Sequence, residues 1–342
     1  MKRITLSALL MTLFLLLSCG SGSANVEDPK SKFLQSVISL SNDFLNVFAK
    51  TLGFKAETKK NDIGVYFTKI AETMTSVKDK LQKEVATNEN DLKVKSAVDT
   101  LTEKLDKIKE GAETAASGAA TGGVVGEIVK SNAAGNGPDA ESIKSFVNGI
   151  KTIVGIVLKD GDGQADKTTS VDEDKKNIGK LFGAQNSGND KGAEDKHVAA
   201  ASASIGAVTG ADILQAIAAA NANAKDGKVS DAKDAAALAL AKGTANENED
   251  QLGDSAKKDA IIAGAIALRA MAKDGKFIVK DTAANKTEAE SAKGVAASTV
   301  EKTLNTLTIA IRKTIDSGLN SINDALATKG ATTPADKTDK KQ

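Results

Sequence analysis

The chain has 342 residues, and its 46 lysines and arginines nearly balance its 45 aspartates and glutamates, so the formal net charge is +1. It contains one histidine, one tyrosine, one cysteine and no tryptophan. This inventory argues against histidine-based metal centres, histidine-dependent catalysis and stacking on nucleic-acid bases, and the balanced charge gives no attraction to a phosphate backbone. We therefore expect no catalytic residue, no cofactor, no metal site and no nucleic-acid partner.

The N-terminus has the pattern of an export signal. Lys2 and Arg3 precede an apolar run, Leu6 to Leu17, which is too short for an ordinary membrane-spanning helix. The run ends in Leu16-Leu17-Ser18-Cys19, which resembles a bacterial lipobox, in which the cysteine is lipidated and the chain is cleaved just ahead of it. A thiolate is alkylated far more readily than a serine hydroxyl. We predict a signal peptide over residues 1–18 and lipidation, including palmitate, at Cys19; the alternative is a plain secretory signal with a chance cysteine.

The predicted mature chain begins with a tether and then becomes helical. Residues 19–31 are small and polar, which suits a flexible link between lipid and fold. Residues 32–329 are predicted to form one helical domain, followed by a flexible charged tail at 330–342. Apolar residues recur every three or four positions, as in amphipathic helices. The first three faces are Phe33, Val37, Leu40, Phe44 and Val47; Ile63, Phe67, Ile70, Met74, Val77 and Leu81; and Val94, Val98, Leu101, Leu105 and Ile108.

Two long stretches interrupt this helical pattern. Residues 111–137 are rich in small residues and are predicted to be a loop with at most a turn or two of helix. Pro138 then opens a helix, with Asp139 and Glu141 placed to oppose its dipole. Residues 160–197 contain many Gly, Asp and Lys residues and are predicted to be a long exposed loop. The helix between them has the face Ile143, Phe146, Val147, Ile150, Val154 and Val157.

The second half contains an imperfect repeat. Ala-Lys-Asp-Gly-Lys occurs at 224–228 and at 272–276, each time after an Ala/Ile-rich stretch, and we expect its glycine to cap a helix in the left-handed conformation. Short Ala-rich helices are predicted over 211–224, 232–242 and 260–272. A long last helix has the face Val300, Leu304, Leu307, Ile311, Ile315, Leu319, Ile322 and Leu326. The fold class is mainly α, an elongated multi-helix bundle in which the first and last helices pair.

Two segments superficially suggest chemistry. Asp160 to Asp166 looks like a calcium loop, but Ala165 and Val171 stand where the required glycine and bidentate glutamate belong, so a solvated acidic loop is the better interpretation. His197 precedes Ser202 and Ser204, yet neither serine has a nucleophile-elbow pattern around it. We expect an exposed histidine at a helix start.

Five strings in the chain resemble one known family. They are SNDFLNVFAKTLGF at 41–54, ETKKNDIGVYF at 57–67, GAVTGADILQAI at 206–217, GAIALRAMAKDGKF at 264–277 and LNTLTIAIRKTIDSGLNSI at 304–322. Together they are similar to the variable large proteins of relapsing-fever spirochaetes, relatives of the variable surface antigen of Lyme spirochaetes. The resemblance implies a mainly α-helical outer-surface lipoprotein, with paired terminal helices near the outer membrane and loops displayed away from it. Segments 111–137, 160–197 and 243–256 do not obviously match, and we expect them to vary.

The function that the resemblance implies is antigenic variation, in which switching between family members defeats host antibodies. The alternative is an adhesin that binds host plasma, complement or matrix proteins through exposed lysines such as Lys175, Lys176, Lys191 and those of the tail. An envelope enzyme is the third hypothesis, but no cluster of nucleophile, base and orienting group is visible.

Overall fold

The described part of the chain is built mainly from α-helices. The computed structural model describes residues 53–86, 92–130, 137–170, 173–183, 192–243, 247–280 and 286–328, all within one compact unit. The helices are α1 (Lys60–Ala86), α2 (Leu92–Ser117), α3 (Ala140–Val157), α4 (Asp195–Gly206), α5 (Gly210–Ala219), α6 (Ala235–Leu240), α7 (Asp259–Met271) and α8 (Lys286–Thr328). Short 3-10 helices cover Glu173–Leu181, Val229–Asp231 and Glu247–Asp250, and the strands are β1 (Ile128–Lys130) and β2 (Phe277–Val279).

Several predictions concern residues outside these ranges. The signal peptide, Cys19, the tether, the first apolar face from Phe33 to Val47, its pairing with the last helix, and the tail all lie outside the described residues.

The apolar faces predicted for α1, α2 and α3 are confirmed as core. Every residue of the three faces is at most 9% exposed. Helices α2 and α3 approach closely because small residues face each other: a Cβ on Gly149 would lie 2.4 Å from the Gly111 carbonyl oxygen. Aromatic rings continue the core, since the ring centroids of Phe67 in α1 and Phe146 in α3 are 6.0 Å apart.

The long last helix is also confirmed, and it begins earlier than its apolar face suggested. α8 has 43 residues, a length of about 65 Å, and it packs against α2, α4, α5 and α7. All eight residues of its predicted face are at most 8% exposed. The Tyr66 hydroxyl of α1 lies 2.9 Å from the Leu304 carbonyl oxygen, to which it donates, and 2.7 Å from the Thr308 hydroxyl.

The prediction of a loop over 111–137 is partly wrong. Helix α2 continues to Ser117, because Gly111, Ala112 and Ala115 are buried. Further on, residues Ile128–Lys130 form β1 instead of a turn of helix, and β1 pairs in parallel with β2 in the register Ile128 to Phe277. Three residues are too few for a periodic strand signal.

The other two predicted loops contain buried structure. The 3-10 helix Glu173–Leu181 and the residue that follows it bury three apolar side chains, Ile178, Leu181 and Phe182, each at most 1% exposed. Near the 3-10 helix Glu247–Asp250, Leu252 is 3% exposed. The predicted loops 160–197 and 243–256 therefore contain buried residues, whereas residues 159–170 are largely exposed.

The glycine caps predicted from the repeat are wrong. Neither Gly227 nor Gly275 has a positive φ; Asp274 takes the left-handed conformation instead, with φ of 59°. The Ala-rich helices are confirmed with shorter bounds, since α5 ends at Ala219 and α6 covers only Ala235–Leu240.

No single helix of the described ranges is long and apolar enough to cross a membrane. Helices α4 and α5 taken together have the length and apolar composition of a membrane span, but the pair is bent by 99°.

Candidate functional site

A largely exposed stretch of the described chain is residues 159–170, here called the display segment. It follows α3 and consists of turns and irregular backbone. Its side chains alternate between exposed and half-buried along much of its length. The exposed residues of the display segment are Lys159, Asp160, Gly161, Asp162, Gln164, Asp166, Thr168 and Thr169.

A carboxylate at the start of α5 holds the middle of the display segment. The Gln164 backbone N–H donates to Asp212 Oδ1 at 2.7 Å, and Asp212 is only 5% exposed. The same carboxylate closes a capping box with Thr209, whose N–H and hydroxyl both donate to Oδ2 at 2.7 Å. Burial raises the pKa of Asp212, but these hydrogen bonds outweigh it and the pKa is lowered. One residue therefore starts a helix and fixes a loop.

A second carboxylate, at the start of α7, holds the end of the display segment. The backbone N–H groups of Thr169 and Ser170 donate to Asp259 Oδ2 at 2.7 and 2.8 Å. The Ser170 hydroxyl donates to Oδ1 at 2.5 Å. A backbone bond from the Ala260 N–H to the Lys167 carbonyl, 3.0 Å long, joins the same two pieces of chain.

Asp259 forms a buried ion pair with Lys175. Lys175 Nζ lies 2.6 Å from Asp259 Oδ1, and the two side chains are 9% and 0% exposed. The prediction of Lys175 as an exposed lysine for an adhesin is therefore wrong: it lies against the display segment and also donates to the Ser170 carbonyl. Lys176 is exposed as expected, and Lys191 lies outside the described residues.

The environment of Asp259 keeps it ionised. Burial by itself raises the pKa of Asp259, but hydrogen bonds from Lys175 and from the segment's hydroxyl and N–H groups outweigh burial and lower the pKa from 3.8 to about 2. The carboxylate is thus charged at neutral pH, where it accepts from three donors of the display segment: the Thr169 N–H, the Ser170 N–H and the Ser170 hydroxyl.

Gly163 lets the display segment approach α5. Its φ is +86°, and a Cβ there would lie 2.5 Å from the Ala211 carbonyl carbon. At the neighbouring position, the Gln215 side chain of α5 donates to the Asp162 carbonyl at 3.2 Å. Glycine is required here both for the backbone conformation and for the close contact.

Buried cations, in contrast, hold the helix ends of the core. Lys60 Nζ donates to the Ala272 and Gly275 carbonyls, at 2.7 and 2.6 Å, beyond the C-terminus of α7. Burial lowers the pKa of Lys60 from 10.5 to about 8. Arg269 donates to the Ala239 and Ala241 carbonyls at 2.9 Å, at the end of α6. Positive charge at a helix C-terminus complements the helix dipole, so these residues are structural.

His197 lies at the start of α4, as predicted, but it is buried instead of exposed. It is 1% exposed, and its Nδ1 accepts from the Glu194 N–H at 3.0 Å, which closes the capping box of α4. Ser202 and Ser204 lie on the same helix, and Ser204 is fully buried. The imidazole therefore caps a helix.

A shallow groove of about 470 Å³ lies between α4 and α8, lined mainly by small side chains such as Ala199, Ser202 and Gly294. Across the ranges that the structure describes, no group of three or more His, Cys, Asp or Glu side chains could hold a metal ion.

Sequence reasoning missed Asp212 and Asp259 as anchors. The available signal was Asp212 in the first turn of the predicted helix 211–224 and Asp259 just before the predicted helix 260–272, positions that favour negative charge. That pattern predicts a cap, but it does not reveal a partner 48 or 90 residues away along the chain.

The fold and the sequence define the class of protein. The family model for Borrelia lipoproteins matches residues 41–326, which is most of the chain. The chain therefore belongs to the Borrelia lipoprotein family, and the resemblance seen in its strings is confirmed.

Individual members of this family are similar to the chain over most of its length. Variable large protein 4 of Borrelia hermsii is 49% identical over 94% of this chain and 93% of its own length. Variable large protein 17 of the same organism is 51% identical over 90% of this chain and 87% of its own. The crystal structure of the Lyme disease variable surface antigen VlsE of Borrelia burgdorferi matches 86% of this chain and 99% of its own with a TM-score of 0.68 and 34% identity. The predicted mainly α fold class is confirmed.

Proposed function

We propose that this chain is a variable surface antigen of the outer membrane, anchored by lipid on Cys19, and that switching between family members with different exposed segments evades host antibody. The observation that carries the proposal is the contrast between a buried helical frame, α1 to α8, and an exposed display segment on a chain related to variable large proteins. Substitutions at exposed loop positions cost little stability, whereas those in a packed core cost much.

The proposed anchor agrees with the composition of the N-terminus. Each buried lipid CH₂ contributes about 0.8 kcal/mol, and a single acyl chain anchors only marginally, so durable attachment requires several chains on Cys19. Attachment at residue 19 places the anchor 41 positions before α1 begins at Lys60. The partners in this proposal are the outer membrane and host antibodies.

Labelling and protease treatment of intact cells test the proposal. Cells expressing the full chain are grown with labelled palmitate, and the matched control carries Cys19→Ser. We expect label only in the wild-type protein, and rapid loss of that protein when protease is added to intact cells. An unmodified Cys19 thiol in the mature protein would disprove the anchor, and full protection from protease would place the protein inside the envelope.

A further inference from the structure

We infer that the pair Asp160-Gly161 is a site of covalent self-modification, at which the main chain isomerises through a cyclic imide to isoaspartate. The reaction needs an aspartate, a following residue without a side chain, and a peptide group between them that can rotate. This chemistry is independent of the lipid anchor and of antibody escape.

The reaction rearranges bonds within the chain and uses no reagent other than water. The Gly161 nitrogen attacks Cγ of the protonated Asp160 carboxyl group, so that a C–N bond forms, the C–O bond to the hydroxyl breaks, and one water leaves with the proton of the N–H. Water then adds to one of the two ring carbonyls. Addition at the side-chain carbonyl restores aspartate, whereas addition at the main-chain carbonyl leaves the peptide running through Cγ. No atom is oxidised or reduced, and the mass of the product equals that of the starting chain.

The chain contains four Asp-Gly pairs, and the structure describes all of them. They begin at Asp160, Asp162, Asp226 and Asp274. Because the two reacting residues are the same in every pair, differences in rate between the pairs report what the fold does to each.

The pair at Asp160 is the least restrained of the four. Both residues are exposed, and within the described residues neither the Asp160 carboxylate nor the Gly161 N–H takes part in a hydrogen bond or ion pair. Gly161 has a φ of +90°, and nothing lies within 4 Å of the position of a Cβ. One backbone bond, 2.9 Å long, closes the turn from the Asp162 N–H to the Lys159 carbonyl. Rotation of the central peptide group exchanges one turn type for another and keeps that bond.

The next pair, Asp162-Gly163, is held at several points. The Lys159 N–H donates to Asp162 Oδ2 at 2.9 Å, and the Gln215 side chain donates to the Asp162 carbonyl at 3.2 Å. Gly163 is packed against α5, since a Cβ there would lie 2.5 Å from the Ala211 carbonyl carbon. Rotation of this peptide group therefore breaks existing contacts.

The pair Asp274-Gly275 is held by the core. Gly275 is buried, and its N–H donates to the Ala272 carbonyl at 3.1 Å. The Gly275 carbonyl accepts from Lys60 Nζ at 2.6 Å. The nitrogen that would attack is thus already bonded and covered.

The pair Asp226-Gly227 is exposed, but an ion pair restrains it. Lys242 Nζ pairs with the Asp226 carboxylate, and the Lys242 N–H donates to the Gly227 carbonyl at 2.9 Å. The hydrogen bond from Lys242 lowers the pKa of Asp226, so the protonated acid that can lose water is rarer. Exposed ion pairs contribute little, so this restraint is weaker than those on the two pairs above.

Isoaspartate changes the shape of the turn and keeps its charge. The main chain gains one methylene group, and the carboxylate is attached directly to Cα. Molecules that have aged therefore differ from newly made ones at this turn, while the helices α1 to α8 are unchanged.

Timed incubation of the purified full chain at neutral pH and body temperature tests the site. Isoaspartate is labelled at intervals with an isoaspartyl methyltransferase, and peptide mapping assigns the label to each pair. We expect label at Asp160 to appear at least about 3-fold faster than at Asp226, where an exposed ion pair must open. The rate should exceed those at Asp162 and Asp274 by at least about 10-fold, because hydrogen bonds must break there first.

Two variants at position 160 are matched controls. Asp160→Glu keeps the charge, but its longer side chain would have to close a six-membered ring, so label at this position should fall to background. Asp160→Asn forms the same imide by losing ammonia and needs no protonated acid, so it should react faster than the wild type. Deamidation at Asn136 or Asn148, each also followed by glycine, changes the mass and is separated by mass spectrometry.

The same incubation in guanidinium chloride separates the effect of the fold from that of the sequence. Unfolding removes the restraints on the other three pairs, and we expect their rates to approach the rate at Asp160. Equal rates at the four pairs of the folded chain, a faster rate at another pair, or no label at Asp160 above the Asp160→Glu background overturns the assignment. Rates that keep the folded order after unfolding also overturn it, because the fold would then not select the site.

Discussion

At the scale of single residues, the feature with most effect is a buried carboxylate that serves both a helix and a loop. Asp259 lies in the first turn of α7, accepts from Thr169 and Ser170, and pairs with Lys175. A buried ion pair adds little compared with an apolar pair, but removing one partner leaves an unpaired buried charge. The local arrangement should therefore be sensitive to the loss of either member.

We expect Asp259→Asn to lower the free energy of unfolding by about 3 kcal/mol, because Lys175 loses its counter-ion and the segment loses a charged acceptor. Urea denaturation measures this change. The matched control is Asp254→Asn, which removes the exposed pair with Lys257, 2.9 Å long, and should leave the urea midpoint unchanged. Equal midpoints for the two variants would show that the buried pair has no special role.

Acid should remove the contribution of Asp259. Its pKa is about 2 in the folded protein and near 3.8 in the unfolded chain, so the unfolded state binds the proton first as the pH falls. The stabilisation, about 2 kcal/mol, is complete above about pH 5 and is lost progressively between about pH 5 and pH 1. The difference in unfolding free energy between wild type and Asp259→Asn should shrink over that interval; a difference that stays constant from pH 5 to pH 2 would contradict the assignment.

At the scale of elements, the close approach of α2 and α3 depends on two glycines. We expect Gly149→Ala to force the helices apart and lower the melting temperature, because its Cβ would lie 2.4 Å from the Gly111 carbonyl oxygen and 2.5 Å from the Ala115 nitrogen. Gly155→Ala on the same helix is the control: nothing lies within 4 Å of its Cβ, and alanine favours a helix interior. Thermal melts followed by circular dichroism compare the two, and a melt of Gly149→Ala at or above that of Gly155→Ala would be the opposite result.

The sequence predicted helices well where apolar residues repeat over many turns. The faces of α1, α2, α3 and α8 were all identified from spacing, and all are buried. The elements that the sequence did not predict are short or depend on tertiary contacts. β1 has three residues, and the 3-10 helix Glu173–Leu181 has a polar sequence around Ile178, so neither shows a period.

The position of the display segment could be predicted from the sequence, but the contacts that hold it could not. Residues 160–170 were expected to be exposed, and most of them are. Their attachment to Asp212 and Asp259 depends on contacts between distant parts of the chain, which local spacing does not encode. The same reason explains why His197 and Lys175 were assigned to the surface although both are buried.

At the scale of the whole molecule, the long α8 connects most of the core. Leu307 is fully buried, whereas Ile309, two positions away on the same helix, is 55% exposed. We expect Leu307→Asp to destabilise the protein by about 4 kcal/mol or more, because it buries an unpaired charge in the packed interior. Ile309→Asp should change stability only slightly. Chemical denaturation of both variants checks this pair, and similar losses from both would contradict the packing of α8.

The central claim is that exposed segments on an unchanged helical frame carry antibody recognition at the cell surface. The most direct measurement is flow cytometry of Fab fragments, raised against cells with the wild-type chain, on intact cells expressing the triple variant Asp160→Ala, Gln164→Ala, Asp166→Ala. The account predicts that Fabs against the display segment no longer bind, while Fabs against other regions bind at the wild-type level. Retained binding by the whole panel, or loss of all binding with the variant still folded and present on the cells, would contradict it.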